Sequence, residues 1–201
     1  MPEFDHLAVS CTDLAAGAEA MERLLGVPMA GGGRHAAFGT NNRLLSLGGN
    51  EYLEVIAIDP EAPPPGRPRW FGLDAFAGAP RLTNWVLRCD DLEAELARLG
   101  PGAGVAMDLE RGAYRWRMGV PEGGALPFDN LQPAAIEWRG PHPGPALPDR
   151  GCRLARLTVG HPRAPELAAL LALDDPRIRF ETGAPGLAAV IATPGGEVKL
   201  A

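Results

Sequence analysis

Four polar side chains stand inside apolar, strand-like runs. His6 lies in Phe4-Asp5-His6-Leu7-Ala8-Val9 and Glu54 in Tyr52-Leu53-Glu54-Val55. Asn84 lies in Leu82-Thr83-Asn84-Trp85-Val86 and Glu137 in Ala135-Ile136-Glu137-Trp138. A lone buried carboxylate costs several kcal/mol, so each glutamate needs a metal, a proton or a donor beside it. An imidazole, two carboxylates and an amide suit two kinds of chemistry: holding a divalent cation, or moving a proton. The plainer reading is structural. His6 and Asn84 would then bond across strands, and the glutamates would pair with arginines such as Arg43, Arg88 or Arg139.

The elements that carry these groups repeat. Phe4–Leu14 and Leu82–Leu92 end alike in Cys-x-Asp-Leu, with matching apolar positions before it. Each copy reads as an alternating strand, an acidic cap and an amphipathic helix. In the first, Asp13 caps a helix that buries Leu14, Ala18, Met21 and Leu25 and stops at Gly26. In the second, Asp90 and Glu93 have capping-box spacing, Leu92, Leu96 and Leu99 form the stripe, and Gly100-Pro101 ends it. Three strands are expected after each helix, near 34–38, 42–47 and 51–58, then 104–110, 114–119 and 134–139. Strand alternation puts His6 on the face of Phe4 and Ala8, and it puts Glu54 and Glu137 opposite their apolar neighbours. If the two copies share one curved sheet, all four polar groups converge on its concave side.

The resulting division is a two-module unit over 1–140, with modules at 1–60 and 80–140 and a Pro-rich linker at 61–79. A shorter third copy, read as a truncated βαββ unit, covers 150–201 and packs on it. Its open strand edges invite a homodimer. The chain has 201 residues and a net charge of −6, with Lys199 the only lysine. That argues against nucleic-acid binding, which needs clustered cations. No apolar run is long enough to span a bilayer, and no basic-then-apolar leader precedes the first strand. Three scattered cysteines suggest a reducing compartment, so a cytoplasmic location is expected. Cys11 and Cys89 fit packing positions better than catalysis. His142 and His161, in Pro-rich connectors, are expected to be exposed.

The segments Phe4–Val9, Gly32–Gly48, Tyr52–Ile58 and the partial second copy resemble the vicinal oxygen chelate superfamily, and within it the glyoxalase-like proteins. The resemblance implies an α+β fold in which paired βαβββ modules form a half-open barrel around a cavity, as in bleomycin-resistance-like proteins. It also implies a divalent metal held by His6, Glu54, Asn84 and Glu137. The ion would chelate vicinal oxygens of a small molecule in a lyase, isomerase or dioxygenase reaction, with Glu54 or Glu137 moving the proton. Asn84 departs from the histidine or glutamine of many relatives. The donor set therefore favours Mn²⁺, Fe²⁺ or Mg²⁺ over a closed zinc site, with Zn²⁺ and Ni²⁺ the remaining options.

The stretch around His35, Thr40 and Asn42 also resembles the glyoxalase-like group and adds His35 to the catalytic candidates. Tyr52, Arg88, Trp116 and Phe128 complete the expected cavity lining, and Phe4 is a further aromatic candidate. The alternative is a metal-free member that binds or sequesters a small molecule. The triple glycine at 31–33 is no phosphate loop, because no Lys-Ser/Thr follows it.

Overall fold

The computed structural model describes all residues, Met1–Ala201. The first module runs β1 (Glu3–Ser10), α1 (Leu14–Leu25), β2 (Arg34–His35), β3 (Thr40–Gly48) and β4 (Glu51–Ile58). The second runs β5 (Arg81–Arg88), α2 (Leu92–Leu99), β6 (Val105–Arg111), β7 (Tyr114–Val120), a one-turn segment α3 (Pro127–Asn130) and β8 (Ala134–Trp138). The C-terminal unit is β9 (Arg153–Gly160), α4 (Ala164–Leu171), β10 (Ile178–Glu181), β11 (Gly186–Thr193) and β12 (Gly196–Leu200). No helix is long and apolar enough to cross a membrane.

Both caps of α1 match their residues. The Asp13 carboxylate accepts from the Ala16 amide at 2.7 Å, and Gly26 takes the left-handed conformation that ends the helix. In α2 the cap is Asp91, not Asp90: its carboxylate accepts from the Ala94 amide at 3.0 Å.

The first two modules share one eight-stranded curved sheet in the order β2-β3-β4-β1-β5-β8-β7-β6. The halves mirror each other about the antiparallel β1/β5 pair. His6 opposes Val86 and Ala8 opposes Asn84, so His6 and Asn84 are true equivalents. The convex face buries α1, α2 and the C-terminal sheet in one apolar core that includes Leu7, Leu53, Trp85, Leu157 and Leu167. The concave face carries a second core built from Ala8, Ile56, Trp70, Val86, Trp116 and Met118.

Two features differ from the sequence reading. The C-terminal unit has four strands rather than three, because Thr193–Gly196 turns the last apolar run back as a hairpin. Its order, β10-β9-β11-β12, also differs from that of the modules. The Pro-rich linker contributes to the core. Its Trp70, Phe71 and Leu73 are buried in the concave core.

Candidate functional site

The register of β1 shifts between Phe4 and His6. This bulge turns Phe4 into the convex core, against the expectation that it shares a face with His6, and leaves Asp5 as the extra, fully buried residue. Asp5 and His6 thereby become partners: His6 Nδ1 lies 2.6 Å from Asp5 Oδ1. The other carboxylate oxygen accepts from Trp138 Nε1 and His142 Nε2, each at 3.0 Å. His142 Nδ1 accepts from the Gly144 amide, which fixes its proton on Nε2. Burial alone would raise the Asp5 carboxyl. Hydrogen bonds and charge from His142 and His6 outweigh it and hold Asp5 well below the usual carboxylate range. The ionised Asp5 accepts from His6 Nδ1–H, so Nε2 is the ring nitrogen turned toward the cavity.

That nitrogen faces Glu54, whose Oε2 is 3.7 Å away. Glu54 Oε1 accepts from Asn42 Nδ2 at 2.6 Å. Tyr52, the register partner of His6 on β4, stacks on the imidazole with ring centroids 4.3 Å apart. Burial, then the charges of Asp5 and Glu54, push its phenol well above its ordinary value, so it stays protonated.

His35 closes the next side. Its Nδ1 lies 3.1 Å from Thr40 Oγ1, and its Nε2 faces Arg111 Nη1 at 3.2 Å and Asn42 Nδ2 at 3.4 Å. Two donors at Nε2 make that nitrogen an acceptor. Burial, then the charges of Arg111 and His6, push His35 down to about 3, so it is neutral. Arg111, at the end of β6, also donates to Asn42 Oδ1 at 2.9 Å. It is the one formal cation lining the cavity. The walls are Leu44, Trp70, Phe71, Trp116, Met118, Ile136 and Trp138. The buried indole Nε1 of Trp70 has no hydrogen-bond partner.

The structure thus joins His6, Glu54, His35, Asn42, Tyr52 and Trp116 in one place, with Thr40 behind His35. It separates the rest. Asn84 is on the concave face, but its amide is used up on Asn130. It donates to the Asn130 carbonyl at 3.2 Å and accepts from the Asn130 side chain at 3.3 Å. Asn130 ends α3, where Phe128, Asp129 and Asn130 all have positive φ. The amide clasp holds a strained turn in place.

Glu137 points the other way. Its carboxylate receives the Leu92 amide at the start of α2 and pairs with Arg139 at 2.9 Å. The reason is register. Cys11 donates to the Ile56 carbonyl and Cys89 to the Ile136 carbonyl, so Ile136 is the counterpart of Ile56. The counterpart of Glu54 is then Ala134, three residues before Glu137, and an odd offset reverses the face.

Arg88 also lies outside the cavity, donating to the Phe4 carbonyl and pairing with Glu3. Phe128 packs on His161 instead. His161 is buried, not exposed, with Nε2 3.1 Å from Asp129. His142 is built into the Asp5 network. Burial, then nearby Asp13, pushes the Cys11 thiol up to about 12, as expected of an inert packing residue.

The expected metal does not fit this donor set. Of its four ligands only His6 and Glu54 face each other. At the equivalents of His6 and Glu54 the second module offers Asn84, bound to Asn130, and Ala134, and His35 Nε2 is occupied by a guanidinium. No group of three or more His, Cys, Asp or Glu side chains is placed to hold an ion. What the arrangement supports is proton transfer: an oriented imidazole and a carboxylate, with a guanidinium in the same lining.

The family model described as Glyoxalase-like domain matches residues 4–173. A solved structure of a hypothetical protein from Staphylococcus aureus is similar over 99% of this chain and 84% of that one, with a TM-score of 0.57 at 14% identity. At that identity the likeness concerns the fold alone. Methylmalonyl-CoA epimerase from Mycobacterium tuberculosis is similar over 67% of this chain and 85% of that one, with TM-score 0.44 and 19% identity. No curated protein matches the chain.

Proposed function

The chain belongs to the glyoxalase-like domain family of the vicinal oxygen chelate superfamily, and from that premise we propose that its cavity binds a small carbonyl compound and moves a proton at the carbon beside the carbonyl. The observation that carries this reading is the Asp5–His6 pair. It orients the imidazole so that Nε2 is turned toward the cavity, 3.7 Å from Glu54.

His6 Nε2 takes the proton from carbon, and Glu54 is placed to exchange it with the imidazole. Negative charge then develops on the substrate oxygen. The Arg111 guanidinium is the one cation in the cavity lining and the donor available to it. Low-dielectric aromatic walls strengthen that interaction. Each residue has a stated role: His6 is the base, Glu54 its proton partner, and Asp5 and Tyr52 position the imidazole. Neutral His35 and Asn42 position Arg111. No step passes through a metal.

Proton NMR in D₂O tests this with a panel of 2-oxo acids. The native chain should exchange the hydrogens next to the keto group, and His6→Asn should lose about 10²–10⁴ of that rate. An unchanged rate in His6→Asn discards the role given to His6.

A second reading is favoured by one feature, the aromatic enclosure of Trp70, Phe71, Trp116 and Trp138. A metal-free binder that sequesters its ligand would use those walls in the same way. Ligand-induced stabilisation that survives chelator and His6→Asn, without any exchange, selects it.

A further inference from the structure

The cavity is too small to be the whole site. Its open space is about 30 Å³, room for one or two waters. Beside it lies a vestibule of about 540 Å³, open to solvent and walled by Tyr114, Pro143, Ala146 and Leu147. Leu44 and Arg111 line both spaces, so they form the partition between them.

The triple glycine explains how the partition is made. None of Gly31, Gly32 and Gly33 has the left-handed backbone that would demand glycine. At Gly32 and Gly33 the requirement is room, whereas Gly31 faces open space. A Cβ on Gly33 would lie 2.6 Å from Arg111 Cδ, and one on Gly32 would lie 1.9 Å from the Asn42 carbonyl oxygen. Gly33 leaves the slot through which the Arg111 side chain reaches from the vestibule to Asn42 and His35. Along that slot the arginine presents methylenes to one space and its charge to the other.

Resting on the proton-transfer reading above, we infer that the vestibule holds the apolar tail of the same substrate, whose carbonyl head lies in the cavity. Three observations select this occupant. The vestibule adjoins the cavity across Leu44 and Arg111, which line both. Its sole charged lining residue is Arg111, and the Arg111 Nη1 is turned inward to Asn42 and His35. The remaining surface is aliphatic, prolyl or aromatic, with glycine backbone between. A tail that is neutral and unbranched or flat is the chemistry such walls accept. The substrate class is therefore a carbonyl compound on an extended apolar chain, rather than a compact polar one.

The test is a chain-length series: 2-oxo acids from pyruvate to 2-oxodecanoate, with exchange in D₂O measured on the full chain. Each added methylene should lower KM by about fourfold until the vestibule is filled. Leu147→Asp should collapse the ratio of KM between the ends of the series. Ala146→Asp, at an exposed position that tolerates charge without refolding the core, should do the same to a lesser degree. A flat series in the native chain overturns the tail site while leaving proton transfer standing. A steep series that survives both substitutions overturns its placement in the vestibule. No exchange with any member overturns the proton-transfer reading itself, and the tail site falls with it.

Discussion

The two halves of the large sheet share a topology and differ in content. Both run strand, helix and three strands in mirrored order about β1 and β5. On the concave side the first half presents His6, Glu54, His35 and Asn42. At the equivalents of His6, Glu54 and Ile56 the second presents Asn84, Ala134 and Ile136, with Asn84 spent on a turn. The first half thus carries the acid–base groups, and the second supplies apolar walls and one long cation, Arg111. A repeated fold preserves the places where side chains stand without preserving what they do. Burial explains why the loss is tolerated: an alanine and an isoleucine on a covered face need no partner, whereas a carboxylate there does.

Substitution at the paired positions puts this asymmetry at risk. His6→Asn, which makes the first half resemble the second, should lower exchange by about 10²–10⁴. Asn84→Gln at the equivalent position should leave the rate within about twofold and cost about 1–3 kcal/mol in urea unfolding, because it disturbs the Asn130 clasp. Equal rate losses from the two would erase the distinction.

Asp5→Leu should be the most destabilising change within the first half, at about 3–5 kcal/mol. It leaves His6, His142 and Trp138 Nε1 buried without their shared acceptor. A melting temperature unchanged by this substitution would remove the dyad from the argument.

Acid should also strain the first half selectively. His35 is held down to about 3, by burial first and then by Arg111 and His6, which face it. Below about pH 6.5 the unfolded chain binds a proton there that the folded chain refuses. Stability therefore falls as pH drops from about 6.5 toward 3, by up to about 1.4 kcal/mol per unit, and is unaffected by this group above that window. Urea unfolding across that window should show the slope, and His35→Phe should flatten it. An identical slope in the variant assigns the acid sensitivity elsewhere.

The smallest effect belongs to the second half. Glu137→Gln should cost about 0.3–1 kcal/mol through its place at the start of α2 and its Arg139 pair, and should leave exchange unchanged. Glu54→Gln should lower exchange at least tenfold. A reversal of the two would restore Glu137 to the site.

Much of the fold was legible because it is written in local signals. Periodicity gave β1, α1, β4, β5 and α2, and Asp13 and Gly26 marked the ends of a helix. His6 and Glu54 were legible as site residues because they are polar in an apolar row, and His35 and Asn42 only through the resemblance of their stretch to the glyoxalase-like group. Glu137 satisfied the same test and failed, since a three-residue slip in matching the copies reverses a strand's face. Arg111 gave no such signal: an arginine at the end of a polar hairpin looks solvated. Asp5 stood in plain view beside His6, but alternation assigns neighbours to opposite faces, and only the bulge joins them. Trp70 and Phe71 were hidden by the Pro-rich composition around them.

The amino-acid order alone determined a duplicated α+β chain with a polar group planted in each central strand. Short-range hydrophobic period and capping chemistry suffice for that. Which of those groups meet was decided by tertiary structure, through one β-bulge, one register offset and one arginine packed against Gly33. Each of these depends on how distant strands are paired, and strand pairing is a property of the assembled sheet rather than of any segment in it.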